Sequence, residues 1–370
     1  MKLLVVAESL TPRSGWGSYA AGLVRALTAH GVQATVLVDR KADADAPPGA
    51  EAIPCLSSPL AGLTRPQALL WNSAQLLRHA RGAALLHFMV EPYATASLPI
   101  GLPPTCITIH GTYAISPFSR GPLTRTLYAA ALRRARTVVC VSRFTQDALL
   151  SQLELENVAV IHNGHELSPD GPPDRDRLVV DGRPLILGVG ALKPRKGYHV
   201  SLRAVAKLRE RFPQLRYYLV GDVSDRTYVD RLRRDIAELG LEHQAIITGP
   251  VSDARLRTLY RQADLFLLTP VNSGHTFEGF GIAYLEANTF GKPVVGSLGC
   301  GAEEAIQHGV NGLLAPQNDP DGVAAQAEAV LADPALSARL GAAGRARAET
   351  RTWSSVARQY LDLYEQALRR

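Results

Sequence analysis

Short apolar runs alternate along this chain with longer stretches of helical periodicity, in two series. The first opens with an apolar run at residues 2–7 and a polar loop from Glu8 to Ser18. A helical stretch from about Tyr19 to His30 follows, stopped by Gly31, and then a second run from Ala34 to Val38. Strand, glycine-bearing loop, helix, strand is the start of a βαβ unit. Runs at Ala84–Phe88, Cys106–Ile109, Thr137–Val141 and Val158–Ile161 continue the series. Residues 166–184 contain Pro, Gly and Asp and read as a linker. A second series follows, at Leu185–Gly190, Arg216–Val220, Ala245–Thr248 and Leu265–Leu268. The expected class is α/β, with two doubly wound domains. Residues 40–54, rich in Ala, Pro and Asp, read as a loop. Arg65–Arg81 reads as a basic amphipathic helix with Leu69, Leu70, Leu76 and Leu77 apolar, residues 323–350 as an Ala-rich helix, and Trp353–Arg370 as a closing amphipathic helix.

The chemistry concentrates between Thr269 and Val295. This stretch leaves an apolar run, crosses a polar loop and enters a helix near Phe280. Glu278 falls in the loop and Glu286 inside the helix, so at 1.5 Å rise per residue their carboxylates lie on the order of 12 Å apart. That is too far to act as a pair on one bond, and it suits a long ligand with hydroxyls at both ends. Gly279 and Gly281 flank Phe280 at the helix entrance. They let a ligand approach the backbone, where unbonded N–H groups and the helix dipole favour an anion such as phosphate. Acid, phosphate cradle, acid matches a sugar joined through a diphosphate to a ribose.

Two other patterns compete. Gly15-Trp16-Gly17-Ser18-Tyr19-Ala20, with Asp39 closing the second run, has the shape of a dinucleotide fingerprint and would make the chain an NAD-dependent oxidoreductase. In that fold the glycines follow the strand at once, whereas here Glu8 to Ser14 intervene. Asp43-Ala44-Asp45 is a D-x-D in an Ala/Pro loop, outside any strand end, and reads as accidental.

The E-x7-E run at 278–286, with Gly291-Lys-Pro-Val-Val295 after it, resembles the signature of the retaining glycosyltransferases of family 4. The resemblance extends over most of the chain. It implies a GT-B fold, two Rossmann-like domains facing across a cleft, with residues 1–168 and a returning helix at 352–370 on the acceptor side and residues 183–351 binding the donor. It implies a nucleoside-diphosphate-sugar donor, a hydroxyl-bearing acceptor, retention at the anomeric carbon, and no cofactor or metal. Residue by residue, Glu278 contacts the donor sugar and Glu286 the ribose. The backbone at Phe280, Gly281 and Ile282 faces sugar and phosphate, Val251 meets the base, and Gly15, Gly17 and Ser18 belong to the glycine-rich first loop. His110, at the end of its strand beside Gly111, is placed near the reacting carbon. Arg195 and Lys196, beside Gly197, are the basic pair that neutralises the departing diphosphate. One departure stands out, because many members carry an Arg where this chain has Ala191. Cys300, in the glycine loop 299–301, has no counterpart in that pattern. A non-catalytic nucleotide-sugar binding protein on the same fold remains the other alternative.

Composition adds little beyond this. The 370 residues, 46% hydrophobic and 20% charged, suit two globular domains. Cys55, Cys106, Cys140 and Cys300 are scattered, so neither a disulfide framework nor a zinc site is expected, and a reducing cytoplasm is the simplest compartment. The apolar N-terminus soon meets Glu8 and Pro12 and reads as a strand rather than a signal peptide. No apolar run approaches the ~20 residues that span a bilayer. The net charge of +6 suits anionic ligands. No acidic residue lies between Glu91 and Asp147, whereas Arg120, Arg125, Arg133, Arg134, Arg136 and Arg143 do. That interval suits an anionic acceptor or peripheral contact with an anionic membrane. No nucleic-acid partner is expected.

Overall fold

The computed structural model describes residues 1–11, 14–43, 45–99, 101–165, 167–171 and 181–369. They divide into two compact units, Met1–Gly164 with Arg351–Arg370, and His165–Thr350.

The first unit holds seven parallel strands, β1 (Lys2–Val6), β2 (Gln33–Asp39), β3 (Ala50–Leu56), β4 (Leu85–Phe88), β5 (Thr105–Ile109), β6 (Thr137–Cys140) and β7 (Val158–Val160). Their order is β3-β2-β1-β4-β5-β6-β7, which reverses direction between β1 and β4. Helices α1 (Gly15–Ala29), α2 (Pro59–Thr64), α3 (Pro66–His79), α4 (Thr112–Ile115), α5 (Pro122–Arg134) and α6 (Arg143–Leu150) connect them. Leu3, Leu4, Val5 and Val6 of β1 are all buried, as a parallel strand covered on both faces requires.

The second unit repeats the plan. Strands β8 (Leu185–Val189), β9 (Arg216–Val220), β10 (Ala245–Gly249), β11 (Leu265–Leu267), β12 (Val294–Ser297) and β13 (Gly312–Ala315) stand in the order β10-β9-β8-β11-β12-β13. Helices α7 (Tyr198–Arg211), α8 (Arg226–Glu238), α9 (Asp253–Gln262), α10 (Ile282–Thr289), α11 (Ala302–Ala305), α12 (Pro320–Ala332) and α13 (Pro334–Glu349) join them.

A final helix, α14 (Trp353–Arg369), belongs to the first unit. Its Tyr360 hydroxyl lies 2.6 Å from that of Tyr19 and 2.9 Å from Thr108 Oγ1. Tyr364 Oη lies 2.6 Å from His87 Nδ1, and His87 Nε2 lies 2.8 Å from Thr108. Burial, with His110 adding, pushes His87 down to about 3, so this network is neutral.

The structure corrects several expectations. Residues 40–54 are not all loop, because β3 adds an edge strand there. It was hidden by Pro54, which an edge strand tolerates. Helix α1 starts at Gly15 rather than near Tyr19. The Ala-rich stretch 323–350 is two helices, because Asp333 caps α13 ahead of Pro334. Of the four leucines assigned to the apolar face of α3, Leu76 is buried and Leu69 packs on the core, but Leu70 is 69% exposed and Leu77 43%. The linker expected at 166–184 falls largely outside the described residues, at 166 and 172–180, as does Ala44 of the D-x-D.

Candidate functional site

In an open doubly wound sheet, ligands bind outside the carboxyl ends of the strands where the order reverses. In the second unit that point lies between β8 and β11. After β8 the chain makes one 3₁₀ turn, Pro194–Lys196, and enters α7 through Gly197 at φ 68°. After β11 it reaches Thr269. The two loops are tied together. Thr269 Oγ1 donates to the Gly197 carbonyl at 2.8 Å, and Val271 N–H to the Arg195 carbonyl at 3.0 Å. A Cβ on Gly197 would stand 1.6 Å from the Thr269 carbonyl oxygen, so only glycine allows this approach.

The tie brings the basic pair onto Glu278. Lys196 Nζ lies 2.6 Å and Arg195 Nη1 3.0 Å from the same oxygen, Oε2. Glu278 is 6% exposed, and its carbonyl accepts from Gly301 N–H at 2.9 Å, so the second glycine loop braces it. Burial pushes the Glu278 carboxyl up, but Lys196 and Arg195 outweigh it and hold it below the usual range. Burial draws the Lys196 ammonium down, with Glu278 as the chief opposing charge. The three side chains form one compact group of net charge +1, one carboxylate between two cations.

Phe280 is buried, and Gly281 at φ 86° turns the chain into α10, whose start has no side-chain cap. Ile282 is the first residue of that helix. Further along, Tyr260 of α9 donates to Glu286 Oε2 at 3.0 Å. Burial pushes the Glu286 carboxyl up, and Tyr260 opposes this. Tyr260 stacks on Phe290 and Phe266, with centroids 5.2 and 6.1 Å away. Val251 is half-buried two residues after β10, and Ser252 beside it caps α9 by accepting from Arg255 N–H at 3.2 Å. Cys300 is structural. Its buried thiol donates to the Ser297 carbonyl at 3.5 Å, and burial pushes it up to about 12.

The first unit has its own strand-end constellation. His110 follows β5, and Gly111 after it sits at φ 151°. His110 Nε2 lies 2.8 Å from the Met89 carbonyl, which can only accept, so Nε2 carries the proton and Nδ1 the lone pair. Burial, against the Met89 bond, pushes His110 down to about 4, and the Tyr19 ring stands edge-on at 4.5 Å. Gly15, Gly17 and Ser18 lie in the first turn of α1 and not in a loop. Ser14 caps that turn, accepting from Gly17 N–H at 3.0 Å while its hydroxyl donates to Glu8 at 2.7 Å. A Cβ on Gly17 would lie 2.1 Å from the Thr11 carbonyl, so close packing of the preceding loop explains this glycine. Glu8 and Ser14 occupy the helix start that a dinucleotide fold leaves to pyrophosphate.

Of the second-unit residues singled out in the sequence, Arg195, Lys196 and Glu278 are thus brought into contact beyond the ends of β8 and β11, whereas Glu286 pairs with Tyr260 of α9 and Val251 stands after β10. Tyr260 was missed, and Thr269 was named only as the start of its stretch. Neither belongs to a motif, and both act through distant partners that no local spacing reports.

Two family models match the chain, "Glycosyltransferase Family 4" over residues 13–169 and "Glycosyl transferases group 1" over residues 173–347. The chain is 31% identical over 235 residues to a GDP-mannose-dependent phosphatidylinositol monomannoside mannosyltransferase of Mycolicibacterium smegmatis, covering 60% of each. It is 33% identical over 236 residues to the D-inositol 3-phosphate glycosyltransferase of Streptomyces avermitilis, covering 60% of this chain and 50% of that protein. The matches therefore span only half to three-fifths of these relatives' length. Among solved structures, sucrose-phosphate synthase from Thermosynechococcus elongatus superposes with a TM-score of 0.83 at 22% identity, covering 99% of this chain and 98% of that one. Anabaena HepE, solved with UDP-glucose, gives 0.79 at 24% identity, covering 99% and 100%. The fold is GT-B, and the chain belongs to glycosyltransferase family 4.

Proposed function

We propose that the protein transfers a sugar from a nucleoside-diphosphate donor to an acceptor hydroxyl, with retention at the anomeric carbon and without a metal. The observation that carries this reading is the buried Glu278 carboxylate bearing Arg195 and Lys196 at the switch point of the second sheet. Arg195 and Lys196 hold the diphosphate as the bond from the anomeric carbon to its oxygen breaks. They supply the positive charge that a metal supplies elsewhere. The uncapped start of α10 at Gly281–Ile282 adds its dipole. Glu278 orients the sugar hydroxyls, Glu286 accepts from the ribose, and Val251 offers its backbone to the base. The acceptor oxygen bonds to the anomeric carbon, and its proton passes to the departing phosphate oxygen. In the first unit His110, with its neutral Nδ1 lone pair, keeps the role toward the sugar that the resemblance implies.

The test is thermal stability against UDP, GDP, ADP, dTDP and NAD in wild type and Glu286→Ala. A ligand that binds only the folded state raises the midpoint. Stabilisation by one nucleoside diphosphate, lost in the variant, supports the reading. Stabilisation by NAD alone refutes it. Tight donor binding with no turnover on any acceptor or water leaves only a binding protein.

For the acceptor we propose an anionic hydroxyl compound at a membrane surface. The named acceptors of the two relatives carry inositol and phosphate. Between Glu51 and Asp147 the one acidic residue, Glu91, is fully buried, whereas three arginines precede it and six follow. The same stretch exposes Leu70 and Leu77 on α3 and Leu123, 70% exposed, on α5. Exposed apolar side chains among unbalanced cations suit a negatively charged bilayer surface. No helix among the described residues is long and apolar enough to cross a membrane. A cytoplasmic location fits this proposal.

A further inference from the structure

Glu91 opens the short 3₁₀ turn that follows β4, so it stands at the switch point of the first sheet, where β1 and β4 part. It is 0% exposed. Its Oε1 accepts from the backbone N–H of His110 at 3.1 Å. The N–H groups of Gly111 and of Glu91 itself, and the Trp16 indole, also lie close enough to favour its charged form. Its Oε2 has no hydrogen-bond partner among the described residues. The other titratable groups that feel its charge are Tyr128 on α5 and Cys140 on β6. Burial first, and then Glu91, pushes both upward, so both are neutral. His110 is neutral as well. Among the described residues, then, this carboxyl touches three elements (the ends of β4 and β5 and the start of α1) with no cation shown beside it. A carboxyl that served packing alone would be better replaced by an apolar side chain or an amide.

We infer that Glu91 is a positioning residue: its carboxylate grips the His110–Gly111 turn through the turn's own N–H groups and so sets the bearing of the His110 imidazole. An acceptor-only carboxylate suits this, because the groups that favour its charge are N–H donors. Burial, opposed by those donors, pushes the Glu91 carboxyl up to about 7, while His110 titrates near 4. The grip is strong in the ionised form, because a hydrogen bond to a charged acceptor is stronger than one to a neutral acceptor. It loosens as the pH falls through neutrality, without His110 itself changing charge. The ionised fraction drops about tenfold between pH 8 and pH 6. The effect on turnover rests on the sugar-transfer reading above, but the titration does not.

The experiment is long-range ¹H–¹⁵N spectroscopy of the histidine rings in the full chain from pH 5.5 to 8.5. His110 is assigned by its disappearance in His110→Gln. In wild type the His110 ring should keep the shifts of a neutral Nε2–H tautomer and show an inflection near pH 7. Glu91→Gln should abolish that inflection. Trp16→Phe, which removes one donor, should move it to higher pH and guards against a Glu91 variant that does not fold. A flat His110 signal in wild type, an inflection that survives in Glu91→Gln, or no movement in Trp16→Phe overturns the inference. With the donor found by thermal stabilisation, kcat at saturating donor should fall from pH 8 to pH 6, by up to about tenfold where only ionised Glu91 supports turnover. A flat kcat alongside an intact inflection overturns the catalytic part alone.

Discussion

Replacing Glu278 with Gln removes the anion that two cations share and changes little else in shape. The side chains of Lys196 and Glu278 are 11% and 8% exposed, and that of Arg195 is 33% exposed. Removing one partner of a fully buried pair costs roughly 3–5 kcal/mol. Water reaches Arg195, and Gln keeps a carbonyl acceptor, so about 2 kcal/mol is the reasonable figure here. In a unit of this size that lowers the melting midpoint by roughly 4–8 °C. The deficit should depend on pH with a definite sign. Burial already holds Lys196 below the ordinary lysine range, and the variant removes the charge that opposed this. The folded variant therefore sheds that proton more readily, and its stability should recover as pH rises above neutrality. Binding should move the other way. While Lys196 keeps its proton, a diphosphate meets two unshared cations in place of a group with net charge +1, so on the acid side its affinity should rise about tenfold, or 1.4 kcal/mol, while sugar transfer is lost. Calorimetric melts at several pH values and titration with the stabilising nucleoside diphosphate measure both. An unchanged midpoint, or weaker diphosphate binding in Glu278→Gln, would refute the reasoning.

Other outcomes follow from the same geometry. Tyr260→Phe removes the donor that opposes the upward push on Glu286, so nucleotide binding should weaken by about 1 kcal/mol and fall off at a higher pH than in wild type, as titration calorimetry across pH 5–8 would show. Gly197→Ala places a Cβ against the Thr269 carbonyl at a positive φ; it should cost more than about 2 kcal/mol and weaken diphosphate binding by separating the two loops. Leu70→Glu with Leu77→Glu should leave the melting midpoint nearly unchanged, since both side chains are exposed, while reducing co-sedimentation with vesicles rich in anionic lipid. Equal sedimentation of variant and wild type would count against a bilayer at that face.

Much of the fold was legible because parallel strands buried on both faces read as unbroken apolar runs. β1, β5, β8 and β9 sit within a residue of their expected bounds for that reason. The edge strand β3 did not, because it is only partly buried on both faces and Pro54 interrupts it. The start of α1 was hidden because two glycines read as a loop until Ser14 was seen to cap them. In the site, Glu278, Glu286, Arg195 and Lys196 were found by motif and resemblance, but their mutual pairing was not. Glu278 and Lys196 are far apart in sequence, and only the parallel register of β8 beside β11 brings their loops together. Glu91 served only to mark where an acid-free interval begins, because nothing local distinguishes a buried carboxylate from a solvated one.

The position of α14 fixes an order of events during synthesis. Tyr360 and Tyr364 complete the hydrogen bonding of Thr108 and His87 in the first unit, yet they are made after every residue of the second. A ribosome that has just finished Thr350 has supplied all of the second unit, while the first still lacks a helix's worth of its interior. The usual N-terminal-first sequence of domain folding is therefore inverted for completion. A chain cut after Thr350 should keep a protease-resistant second unit while its first unit stays open.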